Sequence, residues 1–554
     1  MRVVAYLVAG WAALLTGVGT AFALPVEKPI SPVATTSGKV AGLVLPSGVK
    51  AWFGVPYAMP PTGSLRWRPP QPWAWKGVWN ADRKMAQCPQ VLRAHDINHY
   101  YGEEPSSEDC LYLNIWSPAG ASAAAKLPVI VYVYGGGFTI GSAGIATYGG
   151  ESIARRGAVF VNLNYRVGIL GFLSHPELSK EQGGRSGNYG LLDQNLALRW
   201  IHDNIAKFGG DPSRILVMGQ SAGAASVTMQ LMSPLSKGLF SRAVLSSGCN
   251  WTAGVQALAD GERNGLEIQN YLGAANLAQL RNVPADRFVA AQLEGQIGVT
   301  VTKGVRAGPV VDGVFIPRAP REIIAAGAMN DMPIIASFNR DESVSPLMSA
   351  QSVDEYRGIA RRLYGADADA FLALFPAQSA DDVRAAGGRV AREGGLESNA
   401  RTCAQLQTRY NHSKAWIDLF SQPPSFAPGV HVADYDVANT GAYHTADIPF
   451  WFGTIDAFNM FRTTRAWQPG DHELAAMMMD SLIAFAAKGD PSTKSVNWPA
   501  WSPDREVKLQ WGGGKAAEIV PINVAGIEWL NAHPAKRLEV APGVGGRIGN
   551  GPRD

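Results

Sequence analysis

Apolar residues along this chain alternate between short continuous runs and helical stripes. Residues 129–134 read Val-Ile-Val-Tyr-Val-Tyr, an unbroken β-favouring run directly after Pro128. Residues 158–164, 215–218, 243–246, 334–338 and 415–420 repeat the pattern. Runs of this kind, apolar on both alternating sets, fit strands buried on both faces. Between them, Leu192, Leu196 and Trp200 recur at helical spacing, and Ile201 and Ile205 widen the stripe. That helix is expected to stop at Phe208-Gly209-Gly210-Asp211-Pro212, a cluster of helix breakers. A second helix is expected over 222–232. Near the start, 39–45 and 49–53 read as short strands joined through Pro46-Ser47-Gly48.

Strands alternating with helices predict an α/β fold, with a large, mostly parallel sheet covered by helices on both faces. At 554 residues, length alone suggests several domains. No linker, repeat or low-complexity tract interrupts 38–540, however, so one catalytic domain with helical insertions is expected there. Residues 24–37 are Pro/Ser/Thr-rich and read as a flexible lead-in, and 541–554 read as a disordered tail. The first residues are a separate object. Arg2 precedes an apolar stretch over 3–19, and Ala21-Phe22-Ala23 offers a small-x-small cleavage site. This predicts a secretory signal peptide over 1–23, cut after Ala23, and a secreted or periplasmic product. An uncleaved anchor is the competing reading, with an apolar run at the short end for spanning a bilayer. No later stretch approaches that apolar length, so stable membrane insertion is not expected after cleavage.

Composition narrows the partners. The chain is 46% hydrophobic and 17% charged, with a net charge of +3. Without a basic block, nucleic-acid binding has no electrostatic support. Four cysteines suit an oxidising compartment. Cys88 and Cys110 enclose a polar loop containing Pro89, Asp96, Asn98 and Gly102; a bridge there would contribute about 3 kcal/mol in the chain-entropy model. Cys249 and Cys403 are paired or buried and free, and sequence does not decide between these.

The chemistry concentrates at Gly219-Gln220-Ser221-Ala222-Gly223. It follows a strand and precedes a helix, the context in which G-x-S-x-G forms a sharp nucleophile elbow. Small flanking residues let the turn pass close to its neighbours, and the helix N-terminus favours a developing anion. Gly135-Gly136-Gly137-Phe138 directly follows the run ending at Tyr134. The amides of Gly136 and Gly137, with that of Ala222, form a candidate oxyanion hole. A phosphate-cradling loop is the poorer reading, because no G-x-x-x-x-G-K-[ST] is present.

Further motifs surround these. Ser107-Glu108-Asp109-Cys110-Leu111-Tyr112-Leu113-Asn114 precedes the glycines. Asn164-Tyr165-Arg166-Val167-Gly168, Gly190-Leu191-Leu192-Asp193-Gln194 and Phe208-Gly209-Gly210-Asp211-Pro212 follow. In this order and spacing the set resembles the type-B carboxylesterase family, which includes the cholinesterases, from Gly38 to at least Trp501. The resemblance implies an α/β-hydrolase fold and a serine carboxylic-ester hydrolase working through a Ser-Glu-His triad and an acyl-enzyme. It implies a small-molecule ester as substrate and no cofactor or metal.

It also implies the remaining residues. Asn339-Arg340-Asp341-Glu342-Ser343 matches the family's acid segment, giving Glu342, with Asp341 as neighbouring rival and Ser343 where a glycine is usual. Gly441-Ala442-Tyr443-His444-Thr445-Ala446-Asp447-Ile448-Pro449-Phe450 gives His444; unaided by the motif, His431 stands as a rival. Cys88 and Cys110 resemble the family's first disulfide loop. Arg66 with Glu108, and Arg166 with Asp193, resemble its buried ion pairs. Ser247 resembles a serine supporting the acid, and Trp251 with Phe138 the lining of the substrate pocket.

The sequence departs from the pattern at Tyr134, where a histidine is usual, and at Gln220, where a glutamate is usual. The 88–110 loop carries Tyr100 and Tyr101 but no tryptophan. A choline head would call for anionic and aromatic surroundings, so these departures argue against a true cholinesterase. Three other readings remain in view: an interfacial lipase, an esterase specialised for aromatic, polycarboxylate or toxin esters, and a non-catalytic adhesion or binding protein. The last is disfavoured by the presence of all three triad residues.

Overall fold

The computed structural model describes residues 28–91, 105–252, 254–294, 296–297, 300–301, 307–432 and 436–536. The expected signal peptide, the tail and Asp96, Asn98, Tyr100, Tyr101 and Gly102 lie outside these residues.

A twelve-stranded sheet organises the chain. Its strands are β1 (Lys28–Pro29), β2 (Leu43–Val44), β3 (Lys50–Pro56), β4 (Tyr112–Ser117), β5 (Leu127–Val133), β6 (Val159–Leu163), β7 (Gly210–Gln220), β8 (Arg242–Ser246), β9 (Ile334–Asn339), β10 (Ala415–Phe420), β11 (Val507–Trp511) and β12 (Ala517–Pro521). They lie in the order β1-β2-β3-β4-β6-β5-β7-β8-β9-β10-β11-β12. From β6 to β11 every neighbouring pair is parallel. These are the strands that read as continuous apolar runs, and every residue of β6, β9 and β10 is buried. The sheet is mixed, with its central pairs parallel as expected and both margins antiparallel. Hairpin-type connections at the margins need no crossover helix.

Helices cover both faces. They include α1 (Tyr189–Asn204), α2 (Ala222–Met232), α3 (Ala380–Glu393), α4 (Leu396–Tyr410) and α5 (Pro469–Lys488). Helix α2 packs on β7 and β8, α4 on β9 and β10, and α5 across β5 and β7. One apolar core runs from Val40 to Ile527 and includes Cys249, Trp251 and Cys403. A satellite core gathers Leu347, Tyr356, Phe371 and Val390 beside it.

The lead-in reading needs correction over the described residues 28–37. Lys28–Pro29 pairs with Leu43–Val44, and Val33–Ala34 pairs with Lys39 and Val40. Asn204 at the end of α1 receives the Thr36 amide at 2.8 Å and donates to its hydroxyl, while Trp200 donates to Ser37. Proline and serine break local structure, but tertiary partners supply the missing order. The single early strand expected over 39–45 is also divided at Gly42, where an added Cβ would lie 2.3 Å from the Ala51 carbonyl oxygen. The breaker cluster after α1 feeds straight into β7, which starts at Gly210 and carries an irregularity before Ile215.

Candidate active site

The parallel strands all deliver their C-terminal ends to one edge of the sheet, the usual location of sites in open α/β folds. Ser221 sits between β7 and α2 with φ 55° and ψ −125°. Backbone at positive φ is strained for a residue with a Cβ, at a cost of about 1–3 kcal/mol. The surroundings enforce it. The Ser221 amide donates to the Ser246 carbonyl at 2.8 Å. The elbow closes so tightly that a Cβ on Gly219 would lie 2.3 Å from the Gly223 carbonyl oxygen, and one on Gly223 would lie 2.1 Å from that of Val133. Those contacts explain the glycines two positions either side of the serine. Phe138, Ser247 and Thr445 share the unusual positive φ.

His444 and Glu342 reach the same edge from separate connections. The His444 Nδ1–H donates to Glu342 Oε2 at 2.6 Å. The Glu342 side chain is fully enclosed, while that of His444 is 31% exposed. Glu342 Oε1 accepts from the Ser247 hydroxyl at 2.9 Å and from the Asn339 amide at 2.5 Å. The carboxylate therefore has one oxygen fixed by the scaffold and one free for the imidazole. On the far side of the ring, Gln220 Nε2 lies 3.1 Å from His444 Nε2. This contact brings the imidazole alongside the residue next to Ser221.

The rivals have other places. Asp341 accepts from the Ala442 amide at 2.7 Å and pairs with Arg340, so it fastens the loop that carries His444. Gly441 is needed at that junction, since a Cβ there would lie 2.2 Å from Asp341 Oδ2. His431 is exposed and belongs to no such network.

The glycine loop packs directly over the elbow: a Cβ on Gly135 would lie 2.9 Å from that of Ser221. Gly136 has φ 108°, and its carbonyl accepts from Thr139 and Ile140, which turns the Gly137 N–H of the same peptide the other way. Among the described residues, the Gly136 and Gly137 amides have no acceptor. Ala222 opens α2, where first-turn amides lack helical partners. Such amides can receive an anionic oxygen.

Supporting contacts complete the picture. Tyr134, the residue departing from histidine, stacks on Tyr165 at 4.4 Å, and each hydroxyl donates to the other's carbonyl. Phe138 packs edge-on against Phe172. Trp251 is 1% exposed within the main core. Cys88–Cys110 is bridged. Arg166 and Asp193 form a two-pronged pair at 2.8 and 2.6 Å with both side chains buried. Arg66 grips Glu108 in the same manner and also donates to the carbonyls of Arg281 and Val283.

Sequence reasoning left three features unread. Cys249 is bridged to Cys403 of α4, tying the segment after Ser247 to a helix. Gln90 clamps Gly141 through both its amide atoms, at 2.7 and 2.8 Å, coupling the first disulfide loop to the glycine loop. Two buried carboxyls underlie the site. Asp447 accepts from Ser246 at 2.7 Å and from Asn339 at 3.1 Å. Burial pushes its carboxyl up, opposed by these donors and reinforced by nearby Glu342. Asp418 on β10 is likewise held well above the usual range by burial, with Ser337 donating at 3.1 Å. The segment Asp447-Ile448-Pro449-Phe450, part of the motif that gave His444, marks the place of Asp447; nothing in the local sequence marks Asp418.

Comparison with known proteins agrees with this architecture. Residues 30–517 match the model of the carboxylesterase family. A fumonisin B1 esterase of Sphingopyxis macrogoltabida is 34% identical over 92% of each chain. A para-nitrobenzyl esterase of Bacillus subtilis is 31% identical over 86% of this chain and 94% of its own. A solved PNB esterase structure superposes with a TM-score of 0.72 at 28% identity, covering 90% of this chain and 99% of that one. The chain therefore belongs to the carboxylesterase family and is a type-B carboxylesterase of the α/β-hydrolase fold.

Proposed function

We propose that Ser221, His444 and Glu342 form the triad that hydrolyses the ester through an acyl-enzyme. The observation that carries this is His444 held by Glu342 at 2.6 Å on the edge where strained Ser221 emerges. His444 Nε2 takes the hydroxyl proton as Ser221 Oγ attacks the ester carbonyl carbon. Glu342 fixes the ring and stabilises its charged form. The Gly136, Gly137 and Ala222 amides receive the negative oxygen. The tetrahedral adduct expels the alcohol, which takes the proton from His444. Water then repeats the sequence on the acyl-serine and releases the acid.

The test is S221A with an aryl ester and a fluorophosphonate probe. Loss of both turnover and labelling is expected in a folded variant; near-wild-type turnover overturns the assignment. The wild-type rate should also fall on the acid side as His444 protonates.

A second, narrower reading is that the physiological substrate is a toxin ester, favoured by the 34% identity to a fumonisin B1 esterase across 92% of the chain. Incubation with fumonisin B1 and mass analysis of the products decides it. We also propose export, on the Ala21-Phe22-Ala23 site and the two bridges; mass analysis of the mature N-terminus after expression in a bacterial host tests the cut after Ala23. No helix among the described residues is long and apolar enough to cross a membrane.

A further inference from the structure

Resting on the triad reading above, we propose that Gln220 is a positioning residue that holds His444 by Nε2 and sets the pH at which the imidazole becomes available as a base. The argument starts from the two edges of the ring. With Glu342 at Nδ1, the neutral tautomer carries its proton there and leaves a lone pair on Nε2. The Gln220 amide nitrogen lies 3.1 Å from that atom, and an N–H donor is what the lone pair accepts. The ring is thus pinned from opposite sides, by a carboxylate and by a carboxamide. Gln220 is 1% exposed and is the last residue of β7, so it comes from the same rigid strand end as Ser221.

A donor on Nε2 favours the neutral ring over the imidazolium. A carboxylate in the same place would do the reverse, holding a proton on Nε2 and withdrawing the base at mildly acid pH. The carboxamide also serves the protonated state. A half-turn about its last bond presents the oxygen to Nε2–H once Ser221 has given up its proton. Gly135 lies close against the carboxamide, since a Cβ there would lie 2.8 Å from Gln220 Oε1. Gln220 therefore holds the ring at rest and yields Nε2 to Ser221, and then to the leaving alcohol, as the proton moves.

The charged groups around the imidazole stay constant in this comparison. Among the described residues they are Glu342 on Nδ1, Asp447 behind it through Asn339, and Asp341 with Arg340 beneath Ala442.

The experiment measures kcat/KM against pH for wild type, Q220E and Q220M with a neutral aryl ester. Fluorophosphonate inactivation rates at each pH provide a second readout. Q220E should move the acid limb up by about one pH unit, the scale of an opposite charge placed near a titrating group, and recover most of its activity at high pH. Q220M, which loses the donor, should lower the plateau about five- to tenfold, the scale of one hydrogen bond, and move the limb the same way by less. A merely structural role would lower the plateau and leave the limb where it is. If Q220E does not yield folded protein, Q220M carries the test. An unmoved limb in a folded variant overturns the proposal. S221A separates the failures: a silent S221A with an unmoved limb sinks only the role of Gln220, whereas an active S221A sinks the triad.

Discussion

Replacing Glu342 by glutamine changes one atom and should nearly abolish turnover. In the wild type, Oε1 accepts two donors, Ser247 Oγ–H and the fixed Asn339 amide, and Oε2 accepts His444 Nδ1–H. The glutamine has a single oxygen to place. Turning its NH2 toward Asn339 leaves a buried N–H facing another N–H, a cost of about 1–3 kcal/mol. The oxygen therefore stays on the scaffold side, and the NH2 meets Nδ1. An N–H against Nδ1 forces the imidazole proton to Nε2, where it can no longer accept from Ser221. Mis-tautomerising a triad histidine in this way costs about 10⁴-fold in kcat, or about 5.5 kcal/mol of barrier. The assay is kcat for an aryl acetate near pH 8, with thermal melting to establish that the variant is folded. D341N is the control, since an asparagine oxygen can still accept from Ala442; it should stay within about tenfold of wild type. A folded E342Q within tenfold of wild type, or a D341N loss larger than that of E342Q, would refute the reasoning.

Two further outcomes follow from the scaffold. The Asp418 carboxyl is raised by burial, so the folded chain keeps a proton that the unfolded chain releases above about pH 4. Stability from this group is full below that pH and is lost as pH rises toward the folded value, by up to about 1.4 kcal/mol per unit. D418N should accordingly gain melting temperature over wild type at pH 8 more than at pH 5, and a gain independent of pH would count against a neutral Asp418. The bridges span 22 and 154 residues, for which the chain-entropy model gives about 3 and about 5 kcal/mol. C403S should thus melt lower than C110S, and the opposite order would show that local contacts outweigh loop closure.

What could be read in advance follows physical range. Strand β10 and helix α2 have the same bounds as the apolar run and the predicted helix, because burial on both faces and a glycine-bounded turn are local signals. The elbow and glycine loop were legible for the same reason: their chemistry is contiguous. His444 and Glu342 needed whole-family motifs, since no periodicity distinguishes one histidine or acid from its neighbours. The Cys249–Cys403 bridge was open to sequence because pairing depends on where α4 docks. The Gln90 clamp and the Asp418 carboxyl were invisible altogether, and Asp447 was visible only as part of the motif that gave His444. Each acquires meaning only from strands that approach from far along the chain. Residues 28–29 and 33–34 differ in range only: their composition signals turns, while the nearby backbone of residues 39–44 makes them sheet.

The backbone angles of Ser221 have a bearing on descent. Glycine would relax that position, whereas a β-branched threonine would tighten it. Under drift without a requirement for turnover, this site would slide toward glycine and the fold would become firmer for it. A serine at this strained point of the sheet edge thus costs the fold some firmness, in exchange for the hydroxyl it presents there.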